Sequence, residues 1–369
     1  MKKGSKILAI MLAVILMTLA FAGCGQQGGG GGGSGGGSEA AAAGMMQGDP
    51  SDEYYMIVFV SGVEYWFPVF AGFKQAGNAL GVNTFYVGTT EYDANKHVDV
   101  FNQTLAKNPK GIFVPPLTAE SFKEPIDRAV AQGVSVVTFA SDSPDSARQG
   151  FITSDNVNEG QTAARAIGNE LNGQGKVMVM RNPGQTNHDI RCNVFIETIQ
   201  NEFPGIQVVA DEVSNQDPDA SFTAVMTVAQ MHPDLDAVFS PEANSGMGTA
   251  NASRELGGRI KCLCVDVNTQ ILDMIKTGDF WMAINPDQGV QGYLGMLMLF
   301  MIAEPDLFNP MNGKKEMGLN PTYIPFVDNG LNMITAENAD FFYVDKYAES
   351  LGYKGIEDML SPGGPKHQK

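Results

Sequence analysis

The sequence lacks the features of several protein classes. Lysine and arginine total 24 against 41 acidic residues, for a formal net charge of −17, and so acidic a surface repels nucleic-acid backbones. The four cysteines show no C-x-x-C zinc spacing, and the four histidines are scattered. No G-x-G-x-x-G motif follows the first predicted strand, and G-x-S-x-G and G-x-x-x-x-G-K-[ST] are absent outside the glycine tract. We therefore expect no nucleic-acid partner, no catalysis, no metal and no cofactor.

Long apolar runs are also missing. The run from Ile7 to Ala22 has about 16 residues, whereas a bilayer-spanning helix needs roughly 20. It follows three lysines and ends in "TLAFAGC", the layout of a secretory signal over residues 1–23. An uncleaved membrane anchor is the alternative. The ending resembles a bacterial lipoprotein signal, which implies that Cys24 is lipidated. The methionine-rich run 292–303 is shorter still, and we interpret it as a buried helix.

Glycine, in contrast, is abundant. Residues 24–51 begin with Cys24 and continue mostly as glycine, serine, alanine and glutamine, which predicts a flexible tether. The tail 363–369 is expected to be disordered. Three thiols remain once Cys24 is modified, and an odd number cannot all pair within one chain. We expect Cys192, Cys262 and Cys264 to be buried free thiols.

From residue 54 onward, short apolar runs alternate with segments of helical periodicity. Runs without polar alternation, separated by helices, are typical of parallel sheets covered on both faces. Eight such runs are too many for one comfortable sheet, so the predicted fold is α/β with two doubly wound lobes. The candidate strands are 55–60, 83–88, 111–116, 134–140, 176–180, 206–213, 235–240 and 260–266.

Candidate binding residues follow these strands, because ligands of open parallel sheets collect at the carboxyl ends of the strands. Tyr65 and Trp66 follow the first strand, and aromatic rings can lie against the C–H face of a sugar. Carboxylates and an arginine follow later strands: Asp142, Arg191 and Asp266. Carboxylates accept hydrogen bonds from hydroxyls and a guanidinium donates them, which suits a neutral polyhydroxy ligand. Simple helix capping is the alternative for Asp142 and Asp266.

The chain resembles the type I periplasmic binding proteins, in particular the ribose-binding-like sugar receptors of ABC transporters. The resemblance is carried by "FKQAGNALGV", "FITSDNVNEG", "HPDLDAVFS" and "IKTGDFWMAINPDQGVQGYLG". It implies two Rossmann-like lobes joined by three crossing strands, expected at 153–156, 285–287 and 323–326. The first lobe is expected over 52–155 plus 287–323, and the second over 156–286 plus 324–362.

The resemblance also implies roles for individual residues. Tyr65 and Trp66 match the paired stacking aromatics of the family, Arg191 matches its arginine and Asp266 its late acid. Gln216 lies near another ring-facing position. Three positions depart from the ribose-binding pattern, which indicates a sugar or polyol other than ribose, with different hydroxyl stereochemistry or with an amine facing Glu242. These positions are Ala140, where the pattern has an aspartate so that only Asp142 remains, Glu242, where it has an asparagine, and Ile284, where it has a glutamine.

The predicted function is therefore that of a lipid-anchored solute-binding protein. It is expected on the outer face of the cytoplasmic membrane or in the periplasm, attached to the membrane through its lipid alone. Its partners would be a small sugar or polyol and the membrane subunits of an ABC permease. A sugar receptor that signals to a membrane sensor or chemoreceptor is the alternative. A regulator of the lactose-repressor kind is excluded, because a signal and a glycine tether precede the lobes instead of a basic DNA-binding segment.

Overall fold

The computed structural model describes residues 46–183, 185–308, 313, 317–318 and 324–361. The predicted signal sequence, Cys24, the tether up to residue 45 and the tail 363–369 lie outside the described residues. Within the described part of the chain, no helix combines the length and the apolar character that crossing a membrane requires.

The first lobe is built on a six-stranded sheet in which every pairing is parallel. Helices α1 (Trp66–Leu80) and α9 (Gln288–Ala303) cover one face of this sheet. Helices α2 (Ala94–Leu105) and α3 (Ala119–Ala131) cover the other. In spatial order the strands are β11 (Phe326–Asp328), β5 (Gly150–Thr153), β4 (Ser135–Phe139), β3 (Gly111–Val114), β1 (Glu53–Val58) and β2 (Asn83–Gly88).

The second lobe repeats this plan with one antiparallel edge strand, β12. Its strands are, in spatial order, β12 (Leu331–Ile334), β10 (Met282–Pro286), β9 (Lys261–Val265), β8 (Ala237–Ser240), β6 (Gln174–Arg181) and β7 (Gly205–Val213). Its helices are α4 (Asn156–Glu170) and α5 (Thr186–Glu202) on one face, and α6 (Pro218–Met231), α7 (Ala243–Glu255) and α8 (Thr269–Thr277) on the other. Two doubly wound α/β lobes were predicted, and the structure confirms them.

The apolar runs of the sequence form strands because both faces of each sheet are covered. In β1, Tyr54, Met56 and Val58 point into the core beneath α1 and α9. Tyr55 and Ile57, the alternate residues, point into the core beneath α2 and α3. Successive side chains of a strand point to opposite faces, so a strand buried on both sides must be apolar throughout. All eight predicted strands are confirmed.

The methionine-rich segment is helix α9, which packs closely against α1, and the prediction of a buried helix is confirmed. Glycines make the close approach of the two backbones possible. A Cβ atom on Gly292 would lie 1.7 Å from the carbonyl oxygen of Val69, and one on Gly72 would lie 1.9 Å from that of Gly289. No larger residue fits at either position without separating the helices.

The chain passes between the sheets where two of the three crossings were predicted. The first passage lies between β5 and α4, around Ser154 and Asp155, and the second lies between β10 and α9, at Asp287. The third was predicted at 323–326, which is wrong. Phe326 pairs with Phe151 inside the first sheet, and the chain crosses at Asn329 and Gly330. Strand β11 has only three residues, too few to show a pattern; Tyr323 lies outside the described residues.

The C-terminal segment returns to the first lobe, contrary to the assignment of 324–362 to the second. A 3₁₀ turn (Ala339–Phe342) packs on the second lobe, whereas α10 (Val344–Ser350) and α11 (Ile356–Leu360) pack beside α1. Ala348, Tyr353 and Met359 join the core of the first lobe. The chain therefore makes a fourth passage between the lobes at Tyr343. The reason is burial: the first lobe offers these apolar side chains a core face beside α1.

Lys74 fastens this segment, so replacing it is expected to destabilise the protein. Its ammonium is buried at 3% exposure, donates hydrogen bonds to the carbonyl oxygens of Met359 and Ser361, and lies 4.9 Å from the ring centre of Tyr353. We expect Lys74→Met to lower the free energy of unfolding by about 1–3 kcal/mol, the usual worth of hydrogen bonds to a charged group. Urea unfolding measures this, with the exposed Lys346→Met as control. Equal midpoints for the two variants would contradict the role assigned to Lys74.

The three cysteines in the described residues are free and buried, as predicted. Cys262 and Cys264 point into the same core of the second lobe, and Cys192 into the opposite one. Burial raises the pKa of Cys192 and of Cys262 to about 12, so both thiols stay protonated at neutral pH. These side chains fill space in the cores of the second lobe.

Candidate functional site

The candidate site lies where loops at the carboxyl ends of the strands of both lobes meet. Two hydrogen-bonded contacts join the lobes beside it. Glu64, after β1, accepts from Thr269, after β9. Gln185, before α5, donates to the hydroxyl of Tyr92 at 3.5 Å. The lobes are therefore closed on each other in this structure.

Aromatic rings form the first-lobe side of the site. The indole Nε1–H of Trp66 donates to the carbonyl oxygen of Phe59 at 2.9 Å. The Trp66 ring meets the rings of Phe59, Tyr65 and Phe139 edge to face, with centroids 5.0–5.8 Å apart. Trp66 is therefore fixed in orientation and its one polar group is used, so it offers a ligand only ring surface. Phe59 belongs to the same cluster, and the sequence analysis did not single it out.

Tyr65 belongs to the first-lobe side of the site and interacts electrostatically with charged groups of the second lobe. Its hydroxyl donates to Oε1 of Gln291 on α9 at 3.2 Å. Burial raises the pKa of Tyr65, the negative charge of Asp266 raises it further and the positive charge of Arg191 opposes this. These interactions require Tyr65 of the first lobe to lie close to Asp266 and Arg191 of the second. The structure thus brings together three of the residues that the sequence predicted.

Arg191 is held by a buried ion pair with Glu159, a residue that the sequence analysis did not identify. Its Nε donates to Glu159 Oε2, and its Nη1 donates to the carbonyl oxygen of Pro241 at 3.0 Å. The other oxygen of Glu159 accepts from the hydroxyl of Ser154 in the first crossing. Glu159 has no exposed surface and Arg191 only 5%. The guanidinium is therefore rigidly aimed before any ligand arrives.

Asp266 carries an acceptor that has no partner within the described residues. Its Oδ1 is buried and accepts no hydrogen bond there. Burial raises the pKa of Asp266 to about 7, an effect opposed by Arg191 and reinforced by the charges of Glu159 and Glu242. The backbone of Asp266 is left-handed, with φ at +66°, which aspartate tolerates better than most residues. A buried acceptor of this kind requires a donor from a ligand or a water.

Two further polar atoms of the second lobe share this property. Oδ1 of Asn156, at the start of α4, and Oγ of Ser240, at the end of β8, are buried without a partner in the described part of the chain. Asn156 belongs to the predicted first crossing, yet it was not proposed as a binding residue. Its position directly after Asp155, in "TSDN", was the available signal.

Glu242 has a structural task that the sequence analysis did not foresee. Its carboxylate caps α7, accepting from the backbone N–H groups of Asn244 at 2.6 Å and Ser245 at 2.8 Å and from the hydroxyl of Ser245. Asn182 Nδ2–H donates to it as well, at 3.3 Å. The idea of an amine facing Glu242 is therefore unsupported, because the carboxylate already has its donors.

Asn182 organises the same part of the second lobe. Its Oδ1 accepts from the hydroxyl of Ser214 at 2.9 Å and from the backbone N–H of Gln216 at 2.7 Å. Its Nδ2 lies 3.2 Å from Nδ1 of His188. Burial lowers the pKa of His188 to about 3, with a further contribution from Arg191, so the ring is neutral. Gln216 is held through its backbone, at φ +62°.

Two predicted residues do not join this cluster. The carboxylate of Asp142 forms a two-pronged ion pair with Arg148, at 2.6 and 2.7 Å, and accepts from Thr138, all within the first lobe. Ile284 is fully buried in the core beneath α4 and α5. An apolar side chain in that core has no group with which to recognise a ligand, so the expectation for Ile284 is not supported.

The arrangement suits binding more than catalysis. Aromatic surface lies on one side, and unpaired acceptors and a fixed guanidinium lie on the other. Tyr65 donates its proton to Gln291, and His188 is neutral and buried. Among the described residues, no group of three metal-binding side chains could hold a metal ion.

Comparison with known proteins agrees with this description. A family model described as a periplasmic binding protein domain matches residues 54–305. The D-allose-binding periplasmic protein of Escherichia coli is 22% identical over 67% of this chain and 83% of its own length. The arabinose-binding protein AraP of Geobacillus stearothermophilus is 34% identical, with a TM-score of 0.75 over 80% of this chain and all of that one. A sugar-binding protein of a Bacillus halodurans sugar ABC transporter is 32% identical, with a TM-score of 0.75 over 79% of this chain and all of that one.

The family match spans well over half of the chain. It includes the strands of both sheets except β11 and β12, which lie beyond residue 305. The two solved relatives share the fold of this chain over 79–80% of its length, each with a TM-score of 0.75. The chain therefore belongs to the periplasmic binding protein family and has the type I fold of that family.

Proposed function

We propose that the protein captures a small neutral sugar between its lobes and delivers it to an ABC permease. The observation that carries this proposal is the unpaired Oδ1 of Asp266, buried between Tyr65, Arg191 and the acids of the second lobe. A sugar hydroxyl supplies the donor that this oxygen lacks, and the aromatic rings accept the C–H face of the sugar. No catalytic step is part of the proposal.

The charges of the cluster support a neutral ligand. Three carboxylates, those of Glu159, Glu242 and Asp266, interact electrostatically around a single guanidinium, that of Arg191. Arg191 is already committed to Glu159. An anionic ligand such as a sugar acid or a sugar phosphate would therefore meet a surplus of negative charge in a buried site, which is strongly unfavourable.

The relatives support aldoses as the first sugars to test. AraP is described as an arabinose-binding protein, and the Escherichia coli relative as an allose-binding one. A third, a solute-binding protein from Burkholderia graminis, was solved with D-arabinose and is 23% identical, with a TM-score of 0.66. Arabinose is the leading candidate here, because AraP shares the most sequence of the three.

Binding and lobe closure are coupled in this proposal. A sugar that contacts both lobes binds the closed form better than the open one and shifts the hinge equilibrium toward closure. The permease would then recognise the closed form. Cys24 would carry the lipid that keeps the protein at the outer face of the cytoplasmic membrane. Mass spectrometry of the N-terminal peptide of the mature protein tests the anchor, and an unmodified Cys24 would rule it out.

Isothermal titration calorimetry of the purified protein tests the function. The panel comprises L- and D-arabinose, D-ribose, D-xylose, D-allose, D-glucose and D-galactose, with D-galacturonate as the anionic control. We expect micromolar or tighter binding of at least one neutral aldose and none of galacturonate. Heat from none of the neutral sugars would refute the sugar proposal, and binding of galacturonate alone would refute the argument from charge.

A further inference from the structure

Glu64 makes a contact between the lobes that the proposed function does not explain. It lies in the first lobe, in the loop between β1 and α1, and it is half-buried. Its Oε2 accepts from the backbone N–H of Thr269 at 2.8 Å and from the Thr269 hydroxyl at 2.9 Å. Thr269 is the first residue of α8 in the second lobe. Glu64 directly precedes Tyr65, and Thr269 follows Asp266 by three residues, so the contact borders the sugar site.

The start of α8 favours a negative charge at this place. The N-terminal N–H groups of a helix have no partner inside the helix and carry a partial positive charge. Asn268 satisfies one of them, since its Oδ1 accepts from the N–H of Ile271 at 2.9 Å. The N–H of Thr269 is another, and Glu64 supplies its acceptor. Helix α8 therefore has a cap of its own, and the carboxylate from the opposite lobe adds to it.

The lobes also fit closely around this contact. The cavity beside it measures only about 10 Å³, room for a single water. It is lined by both lobes, through Glu64 and Tyr65 from the first and Val267 and Asn268 from the second. The ion–dipole contact is thus shielded from bulk solvent on one side and exists only while the lobes are closed.

We propose that Glu64 is a closure latch, a residue that sets the affinity and the residence time of the sugar by holding the lobes together. This inference rests on the proposed function, and Glu64 acts as a positioning residue through Thr269. The apparent affinity of a hinged receptor depends on how favourable its closed state is. Losing a contact made only in that state should speed ligand dissociation and leave association nearly unchanged.

The test compares Glu64→Ala, Glu64→Gln and Thr269→Val with the wild-type protein. Calorimetry and stopped-flow fluorescence use L-arabinose, or the tightest-binding sugar of the panel. We expect Glu64→Ala to weaken binding by about 3- to 10-fold, mostly through dissociation, because the contact is charge-assisted but half-exposed. Glu64→Gln keeps an acceptor and should lose less. The double variant Glu64→Ala/Thr269→Val should be less than additive, because both changes remove the same contact.

Two controls separate a latch from a residue that merely stabilises its own lobe. The free energy of unfolding of the sugar-free protein should fall no further for Glu64→Ala than a tenfold change in affinity accounts for, about 1.4 kcal/mol, with Glu124→Ala, at an exposed glutamate on α3, as the control. Small-angle scattering should give a larger radius of gyration for sugar-free Glu64→Ala than for wild type.

The outcomes are distinct for the two proposals. Unchanged affinity of Glu64→Ala, or additivity in the double variant, overturns the latch and leaves the sugar function standing. If the wild-type protein binds no sugar, the sugar function is refuted. The radius of gyration of the sugar-free proteins then tests whether Glu64 holds the lobes together. An unchanged radius overturns the latch.

Discussion

Replacing Arg191 with methionine is expected to lower the free energy of unfolding by about 3–5 kcal/mol. The reason is that Glu159 is fully buried, and its ion pair with Arg191 offsets the cost of burying its carboxylate. The variant leaves that carboxylate without a compensating positive charge. Methionine fills much of the space of the arginine stem but supplies no charge. Urea or thermal unfolding of the sugar-free protein measures the loss, and sugar binding should disappear in the same variant.

The chain provides a matched control on the same pair of helices. Arg165 on α4 pairs with Glu202 on α5 through Nε and Nη2 at 2.9 and 2.7 Å, but both side chains are more than 40% exposed. Arg165→Met should cost less than about 1 kcal/mol, as exposed pairs do. The double variant Glu159→Gln/Arg191→Met should recover much of the stability, since no uncompensated charge remains. Equal losses for the two single variants would contradict the assignment.

Replacing Asp266 with asparagine is expected to weaken sugar binding by about 10- to 150-fold, since each 1.4 kcal/mol is a factor of ten. A buried hydrogen bond from a neutral donor to a charged acceptor contributes about 1.5–3 kcal/mol. Asparagine removes the charge of the acceptor, and its amide N–H group is an additional donor that needs a partner on the sugar. Asparagine is chosen because it keeps the size of the side chain and tolerates the left-handed backbone at φ +66°. Calorimetry measures the loss. Asp234→Asn is the control, because Asp234 is exposed and precedes β8 at the opposite end of the sheet.

The same carboxylate predicts how binding depends on pH. Burial raises the pKa of Asp266 to about 7. Sugar hydroxyls donate to the ionised form, so protonation competes with binding. Affinity should therefore be constant above pH 8 and fall by up to about tenfold per unit as the pH drops below 7. The Asp266→Asn variant should lose this dependence. A wild-type affinity that stays constant from pH 8 to pH 5 would contradict the assigned role.

The sequence was sufficient for most of the interior strands, and the physical reason is burial on both faces. The interior strands β5 and β10 were not among those predicted. Such strands are continuous apolar runs, as β1, β3, β8 and β9 are. The four strands near the hinge were not predicted as strands. Among them, β11 has three residues, and β12 has polar or half-exposed residues at most positions. Short edge strands form because they pair with a neighbouring strand, and the hydrophobic pattern of the segment itself does not reveal that pairing.

The site was predicted in part for a related reason. Asp266 follows β9 directly, and Tyr65 and Arg191 lie in the segments that follow β1 and β6, so their place along the chain identifies them. Whether a carboxylate is free to bind a ligand depends on whether another side chain or the start of a helix already donates hydrogen bonds to it. Asp142 is taken by Arg148 and Glu242 by the start of α7. The sequence alone does not reveal which acids are already occupied.

The return of the C-terminal segment has a practical consequence for biosensors. Near the start of the described chain, the N–H of Gly48 donates to the carbonyl oxygen of Leu80 in the first lobe, and near its end Ser361 is bound by Lys74 of the same lobe. Fluorescent proteins fused to the two ends would therefore both be attached to the first lobe. The distance between them would not change when the lobes close, so it would not report sugar binding. A reporter of hinge motion needs one fluorophore inserted in the second lobe. The turn at Pro233 and Asp234 is suited, because it is exposed and remote from the cleft.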